Sequence, residues 1–221
     1  MPNETTIYTL YPEAEIDSRV RYFDGQFLGS QDFVDLQRYL VDRIRRGLDL
    51  MTCEGVARGL VVTTTAAWTL RIGAGTAIDR DGRLLVLTEA MAGVAIPHDY
   101  QGAAVDVALV YGEVDDREQG GTSEEAGTRG ATRVRETPKV HFYPAGQEPG
   151  VAGAVPLARV HVGGDGTCTF DDPDPIRVRA GVRFPTEEGS ASPTIRTGGP
   201  ARPRTLLVDG AVSMNDRLGV G

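Results

Sequence analysis

Three histidines and two acidic clusters are the side chains of this 221-residue chain that are best suited to chemistry. His98, His141 and His161 could transfer protons or bind a metal, but they lie in three different predicted elements. Asp79–Gly82 and Asp171–Asp174 offer carboxylate ligands of the kind that calcium takes. Neither cluster has the full calcium-binding loop with its terminal Glu, and both flank predicted strands. We therefore interpret both as structural turns.

Motifs for catalysis and cofactor binding are lacking in the sequence as well. The chain contains no HExxH, no GxSxG, no P-loop and no glycine-rich loop that opens a helix. Gly73–Thr76 is superficially similar to a phosphate-binding loop, but it falls between two predicted strands. The sequence therefore predicts a protein that is not an enzyme, with no catalytic residue, no metal site and no cofactor.

Cysteine content and hydrophobic patterning indicate where the chain is made. Cys53 and Cys168 are too few for a disulfide framework or a thiolate zinc site. Two buried free thiols are favoured, and a single bridge between them stays open. The first residues have neither a basic region nor an apolar run of signal-peptide length, and no run of ~18 apolar residues occurs. We expect a protein made in the cytoplasm without a signal peptide and without a membrane partner.

The charge balance argues against a nucleic-acid partner. Lys and Arg number 23 against 31 Asp and Glu, which gives a net charge of −8. A chain this acidic repels phosphate backbones. The basic cluster at Arg43–Arg46 is flanked by Asp42 and Asp49, and the cluster at Arg196–Arg204 lies in a segment rich in Pro and Gly. We therefore expect no nucleic acid as a partner.

Residues 31–50 predict one amphipathic helix. Their apolar residues recur three or four positions apart, as on one face of a helix. Val34 and Val41 widen this face, which suggests that it is buried against two partners rather than one. Gly29-Ser30 offers a hydroxyl at the expected N-cap. The main stripe consists of Phe33, Leu36, Leu40, Ile44, Leu48 and Met51.

Beyond Gly55 the pattern changes to the period of two that is typical of strands. The chain has 28 Gly and 13 Pro, which favours short strands joined by turns. Asp81-Gly82 supplies the residue with positive φ that a tight hairpin requires. Residues 115–131 show no apolar periodicity and predict a surface loop. Strands are predicted at 60–65, 68–72, 76–78, 83–87, 105–114, 132–143, 155–162, 166–170 and 176–182.

Composition divides the chain into three parts. Residues 1–184 predict a helix-plus-β domain, and 185–205 form a linker rich in Pro, Gly and Ser. Residues 206–221 begin a new β unit that looks cut short. The predicted fold class is mainly β (α+β). One N-terminal amphipathic helix packs on a β-sandwich or barrel-like domain.

Residues 21–62 resemble tail proteins of contractile phage tails and of extracellular contractile injection systems. The similarity rests on an aromatic-Phe-Asp-Gly-x-x-Leu motif, on Asp-Phe and Gln-x-Tyr in the helix, and on a Gly-Val-x-x-Gly-Leu motif that leads into β structure. Where such proteins often carry His-Gly before the last motif, this chain has Met51–Glu54. The motif residues are Tyr22, Phe23, Asp24, Gly25, Leu28, Asp32, Phe33, Gln37, Tyr39, Gly55, Val56, Gly59 and Leu60.

This resemblance covers roughly residues 20–183, with 21–62 as its most specific part, and is closest to the N-terminal region of a tail-fibre protein. It implies a structural role, with residues 1–184 as the attachment domain and 206–221 as the start of a β-structured fibre shaft. A homotrimer would attach to baseplate proteins and present a fibre for host or target recognition, with the cell-surface receptor bound by a distal region outside this chain. The protein would be assembled into a phage-like tail particle, either a virion or an injection system. The helix residues expected at the trimer or attachment interface are Phe33, Val34, Leu36, Leu40, Val41, Ile44 and Leu48.

Two other functions stay open at this stage, besides a remote chance of a glycan hydrolase. One is a carbohydrate-binding β module, which would need exposed aromatic side chains. Trp68 and a few Tyr are the candidates for that role, and Trp68 is predicted to lie in a strand as a core residue. The other is a different baseplate or cap component of the same injection machine.

Overall fold

A computed structural model describes residues 18–119, 130–171, 175–183, 194–197 and 206–209. These residues form one α-helix, one 3₁₀ helix and sixteen strands. The helices are α1 (Ser30–Met51) and a 3₁₀ helix at His98–Tyr100. The strands are β1 (Thr52–Cys53), β2 (Gly55–Gly59), β3 (Val62–Ala66), β4 (Thr69–Ile72), β5 (Gly75–Ile78), β6 (Leu84–Leu87), β7 (Met91–Ala95), β8 (Ala104–Val110), β9 (Glu113–Gln119), β10 (Gly130–Glu136), β11 (Lys139–Pro144), β12 (Val155–Val162), β13 (Cys168–Phe170), β14 (Gly181–Arg183), β15 (Thr194–Thr197) and β16 (Leu206–Asp209).

Helix α1 confirms the predicted helix and extends it by one residue at each end. Its N-cap is Gly29, whose N–H donates to Asp32 Oδ2 at 2.8 Å. Ser30 is therefore the first helical residue and not the predicted N-cap, and the side-chain contact to the cap comes from the carboxylate at the third helical position. Asp42 and Arg46, four positions apart on the helix, form an ion pair at 2.8 Å. Within the described ranges, no helix combines the length and the apolar character needed to cross a membrane.

Strands β2 to β7 build one bent antiparallel meander. The meander consists of three stretches of chain, β2–β3, β4–β5 and β6–β7. Their strands pair in the order β2-β5-β6 on one side of the bend and β3-β4-β7 on the other. The bend lies where the Leu60 N–H donates to the Ala74 carbonyl and the Gly73 N–H donates to the Val61 carbonyl. Gly82 has φ +71° in the turn between β5 and β6, which confirms the predicted hairpin. Trp68 also lies in a turn, with φ +60°, so its predicted place inside a strand is wrong.

A four-stranded antiparallel sheet of order β11-β8-β12-β13 forms the second layer. Buried side chains of both layers belong to one hydrophobic cluster, so the layers face each other across a shared core. The mainly β fold class is confirmed, and the sheets of the described ranges do not close into a barrel. Fully buried members of the core include Val56, Leu60, Leu70, Ile72, Leu85, Val105, Val107, Leu109, Leu157 and Val160.

Strands β9 and β10 form an antiparallel ribbon that, among the described strands, pairs only with itself. The expectation of a surface loop over 115–131 is therefore wrong at both ends, whereas residues 120–129 lie outside the described residues. The register places Arg133 opposite Asp116 and Val134 opposite Asp115. The ribbon is thus defined by backbone pairing between residues distant in the chain, which local apolar periodicity does not reveal.

The C-terminal strands form a third sheet of order β1-β14-β15-β16. Strand β1 directly follows α1 and pairs with β14, so this sheet begins at the C-terminal end of the helix. Strand β15 lies inside the predicted linker, and β16 lies where the new β unit was expected. The rest of both segments lies outside the described residues. The domain boundaries therefore stay predictions.

Candidate functional site

The second half of α1 lies against the turn between β5 and β6. A Cβ atom added to Gly82 would lie 2.3 Å from the Arg45 carbonyl oxygen and 3.1 Å from the Asp49 nitrogen. The turn thus contacts the backbone of the helix, and only glycine leaves room for this approach. An ion pair between Arg183 and Asp49 at 3.4 Å adds a contact from β14.

Tyr111 forms the polar contact between helix and sheet. Two guanidinium groups lie over its ring, with the Arg45 and Arg83 Cζ atoms 5.5 Å and 5.4 Å from the ring centroid. Its hydroxyl lies 2.5 Å from Glu113 Oε1 and 3.1 Å from Glu136 Oε1. Burial, together with these two carboxylates, raises the pKa of the Tyr111 hydroxyl. The phenol therefore stays protonated and can donate a hydrogen bond.

The apolar stripe of α1 is left largely open. In the described structure no side chain of the helix is buried, and Leu40 and Ile44 are 51% and 60% exposed. Val41, Ile44 and Leu48 line a groove together with Leu84 of β6, and Ile44 stays 60% exposed at its edge. The predicted packing of the helix on its own sheet is therefore limited to the groove side. Of the predicted interface residues, Phe33, Val34, Leu40 and Ile44 are exposed, and Leu36, Val41 and Leu48 are half-buried.

The segment before the helix presents aromatic side chains on a fixed turn. Gly25 has φ +82°, the Gln26 N–H donates to the Phe23 carbonyl at 3.1 Å, and the Phe23 N–H donates to Gln26 Oε1 at 3.2 Å. Phe23 and Phe27 are 68% and 98% exposed, and Tyr22 and Leu28 are exposed beside them. The aromatic-Phe-Asp-Gly motif thus forms a turn whose apolar side chains make few contacts within the described chain.

The exposed apolar surface is large enough for a partner interface. Phe23, Phe27 and the 51% exposed Phe33 together expose roughly 400 Å², if each ring has ~200 Å² to bury. The largest patch on a typical monomer is ~300–600 Å² in total, and a specific interface buries ~800 Å² on each partner. Three side chains thus provide about half of a standard interface before the helix stripe is counted.

The Gly-Val-x-x-Gly-Leu motif has a structural role. Gly55 has φ +142°, and a Cβ atom there would lie 2.6 Å from the backbone carbon of Arg179. The buried Val56 donates its N–H to the Val178 carbonyl at 2.8 Å and accepts the Ala180 N–H at 3.1 Å. Glycine at position 55 therefore lets residues 177–180, which we call the C-terminal segment, run beside β2.

Gly59 and Leu60 form the bend of the meander, with φ +62° and +54°. The Arg177 guanidinium donates to the carbonyl oxygens of Gly59, Leu60 and Leu157, at 2.8 Å for Leu60 and 3.2 Å for Leu157. One side chain thus ties the C-terminal segment to the bend and to β12. Sequence reasoning missed Arg177, because nothing in its neighbourhood marks it as different from Arg179, the other arginine of 176–182.

The predicted acid–base candidates lie in separate environments. The His98 ring lies 4.3 Å from the ring of Trp68, His141 Nε2 lies 2.8 Å from the Pro149 carbonyl oxygen, and His161 Nε2 lies 2.9 Å from Asp171 Oδ1. None of these contacts brings two histidines together in the described structure. We see no catalytic constellation among these residues.

Buried carboxylates of the β domain have structural partners. Asp79 accepts the N–H groups of Asp81 and Arg83 as well as Arg83 Nε, which makes it the centre of the predicted turn. Asp106 accepts hydrogen bonds from Nε and Nη2 of Arg159, at 2.6 Å and 2.8 Å. Cys53 and Cys168 are both buried and free, which confirms the favoured prediction for the thiols.

Comparison with known proteins gives structural matches to one kind of machine. No protein-family model and no curated protein sequence matches the chain. Three solved structures match over 70% of this chain: a crystal structure of TssK (TM-score 0.41, 16% identity), the type VI secretion system TssK-TssF-TssG baseplate subcomplex (0.42, 16%), and the type VI secretion baseplate complex (0.38, 17%). The match spans 42%, 60% and 57% of those chains, respectively. At TM-scores below 0.5, these matches do not establish a common fold.

Proposed function

We propose that this protein is a structural component of a contractile injection machine, and more specifically the root of a trimeric fibre attached at the baseplate. The exposed apolar surface of the 18–29 segment and of α1 carries this proposal. It is combined with the resemblance of residues 21–62 to tail-fibre proteins.

The trimer interface is assigned to the outer stripe of α1. Phe33, Leu40 and Ile44 lie on one side of the helix and are more than half exposed. Three symmetry-related helices with their stripes inward would bury these side chains against each other, as in other closed oligomers. Each fully buried Leu, Ile or Phe contributes roughly 1.5–3 kcal/mol relative to an exposed one.

The attachment surface is assigned to the turn before the helix. Phe27 is almost fully exposed on a hydrogen-bonded turn, which is the geometry of a preformed aromatic anchor. Baseplate proteins are the proposed partner of this turn. The C-terminal sheet, which starts at β1 beside the end of α1, would lead the chain into the shaft.

The interface is tested by placing a charge in the helix stripe. Leu40→Asp and Ile44→Asp should each convert the trimer to monomers or aggregate, because three carboxylates would have to be buried together. Mass is measured by analytical ultracentrifugation. The control is Arg46→Glu, which also adds negative charge to α1 but on an exposed residue off the stripe, and it should leave the trimer intact.

Attachment is tested separately with Phe27→Ser, which should still form trimers but fail to co-sediment with purified tail particles. If Leu40→Asp stays trimeric while the Arg46→Glu control behaves as wild type, the helix is not the interface. Specific glycan binding by the wild-type chain on a glycan array would favour the carbohydrate-binding function instead.

A further inference from the structure

The base of the β9–β10 ribbon holds two carboxylates against one hydroxyl. Glu113 is the first residue of β9, Glu136 is the last residue of β10, and the two lie directly opposite each other in the register. The Tyr111 hydroxyl lies between them, 2.5 Å from Glu113 and 3.1 Å from Glu136. Like charges directly opposite each other destabilise a strand pair, so the ribbon base needs neighbouring groups that offset them.

The hydroxyl alone does not satisfy these acceptors. A phenol has one proton to donate, and the second oxygen of Glu113 is buried without a hydrogen-bond partner among the described residues. Two guanidinium groups lie over the Tyr111 ring beside these carboxylates, those of Arg45 and Arg83. Arg83 is also held by Asp79 and Asp81, whereas Arg45 is supplied by the helix.

Arg45 therefore contacts both the β5–β6 turn, on which the helix packs, and the Tyr111 hydroxyl at the ribbon base. Its NH2 group lies 3.5 Å from the Tyr111 hydroxyl, and its carbonyl is the atom against which Gly82 packs. The ribbon closes tightly at the same place, because the Thr137 N–H donates to the Gly112 carbonyl at 2.7 Å. A shift of α1 moves a cation away from two closely placed carboxylates.

We propose that the cluster of Arg45, Tyr111, Glu113 and Glu136 couples the position of α1 to the stability of the β9–β10 ribbon. A helix seated on the β domain keeps the ribbon base closed, and a displaced helix loosens it. The coupling is a property of the single chain and does not depend on the proposed attachment to a baseplate. In the assembled machine, a partner on the helix face would change how firmly the ribbon is held.

Hydrogen exchange measured by mass spectrometry tests the coupling on the full chain. Arg45→Met keeps the aliphatic stem but removes the charge, and it should speed exchange at the ribbon base (113–116 and 133–136) by about tenfold, which is ~1.4 kcal/mol. Arg43→Met is the matched control. Arg43 lies on the same helix, with its Cζ atom 5.1 Å from the Tyr39 ring centroid. Removing this cation should leave the exchange rates of the ribbon unchanged.

Tyr111→Phe provides the second half of the test. It should speed exchange in the ribbon base and in the last two turns of α1, and adding Arg45→Met to it should produce little further change. Protection in β8 shows whether the whole domain has opened instead, in which case Arg45→Lys replaces Arg45→Met. Either of two results would overturn the proposal. The first is ribbon exchange within twofold of wild type in an Arg45 variant whose β8 stays protected. The second is full additivity of the effects of the two substitutions.

Discussion

Arg177 offers the sharpest test of how the C-terminal segment is attached to the β domain. Replacing it with Met keeps a long apolar stem but removes the donors to the carbonyls of Gly59, Leu60 and Leu157. Leu60 and Leu157 are fully buried residues, so their carbonyls are poorly placed to find water instead. We expect the bend and the C-terminal segment to separate first.

The magnitude follows from the number of bonds lost. A hydrogen bond to a charged group contributes about 1.5–3 kcal/mol, and buried carbonyls left without a donor add to the cost. Because the guanidinium is only half-buried, we discount this and expect a loss of roughly 3 kcal/mol in the free energy of unfolding. For a chain of this size, that corresponds to a fall in Tm of about 6–12 °C.

The assay is thermal unfolding followed by circular dichroism at one fixed protein concentration, since association with a partner subunit also raises Tm. Arg177→Lys should recover only part of the loss, because an ammonium cannot reproduce the planar fork of a guanidinium. Arg80→Met removes an exposed arginine whose ion pair spans 3.9 Å and should change Tm by less than about 2 °C. If Arg177→Met unfolds at the same temperature as this control, Arg177 does not hold the segment.

Two further predictions concern the turn under the helix and the thiols. Gly82→Ala should destabilise the chain by about 2 kcal/mol or more in denaturant titrations, because it combines a residue at φ +71° with a Cβ atom 2.3 Å from the Arg45 carbonyl oxygen; a change below 0.5 kcal/mol would contradict the close contact. Cys53 and Cys168 should react with a thiol reagent only in denaturant, because both are buried and burial raises the pKa of the Cys168 thiol. Rapid labelling of both thiols in the folded chain would contradict their placement.

Local patterns were sufficient to predict the helix and the positions of several strands. The predicted strands 105–114 and 132–143 are each interrupted, at 111–112 and 137–138, and 176–182 is a strand only from Gly181 on. The stripe of α1 and the Asp81-Gly82 turn depend on spacing within a few residues, so they can be identified from the sequence alone. The capping of α1 by Asp32 rather than by Ser30 differs by a single side-chain contact, which spacing does not resolve.

Features set by distant parts of the chain could not be predicted. Trp68 fits the alternating pattern of a strand in the sequence. Its backbone N–H, however, donates to the Gly166 carbonyl at 2.9 Å, and this contact with a distant part of the chain holds Trp68 in a turn. The ribbon likewise lacks an apolar face and is defined by pairing between residues on either side of 120–129. Arg177 depends on contacts with residues more than a hundred positions away.

The outer stripe of α1 illustrates a different limit. Its apolar pattern predicts burial but does not identify the partner, and among the described residues the β domain covers the groove side formed with Val41, Ile44 and Leu48 while Phe33 and Leu40 stay half exposed. Sequence periodicity shows which face of a helix is apolar and favours burial. Which protein surface buries that face depends on the assembly.

The mass of the wild-type chain in solution tests the central claim most directly. Light scattering coupled to size-exclusion chromatography should give about 71 kDa, three times the chain mass of 23.6 kDa, if the helix stripes are buried in a closed trimer. A mass near 23.6 kDa that persists at high protein concentration would contradict the trimeric fibre root.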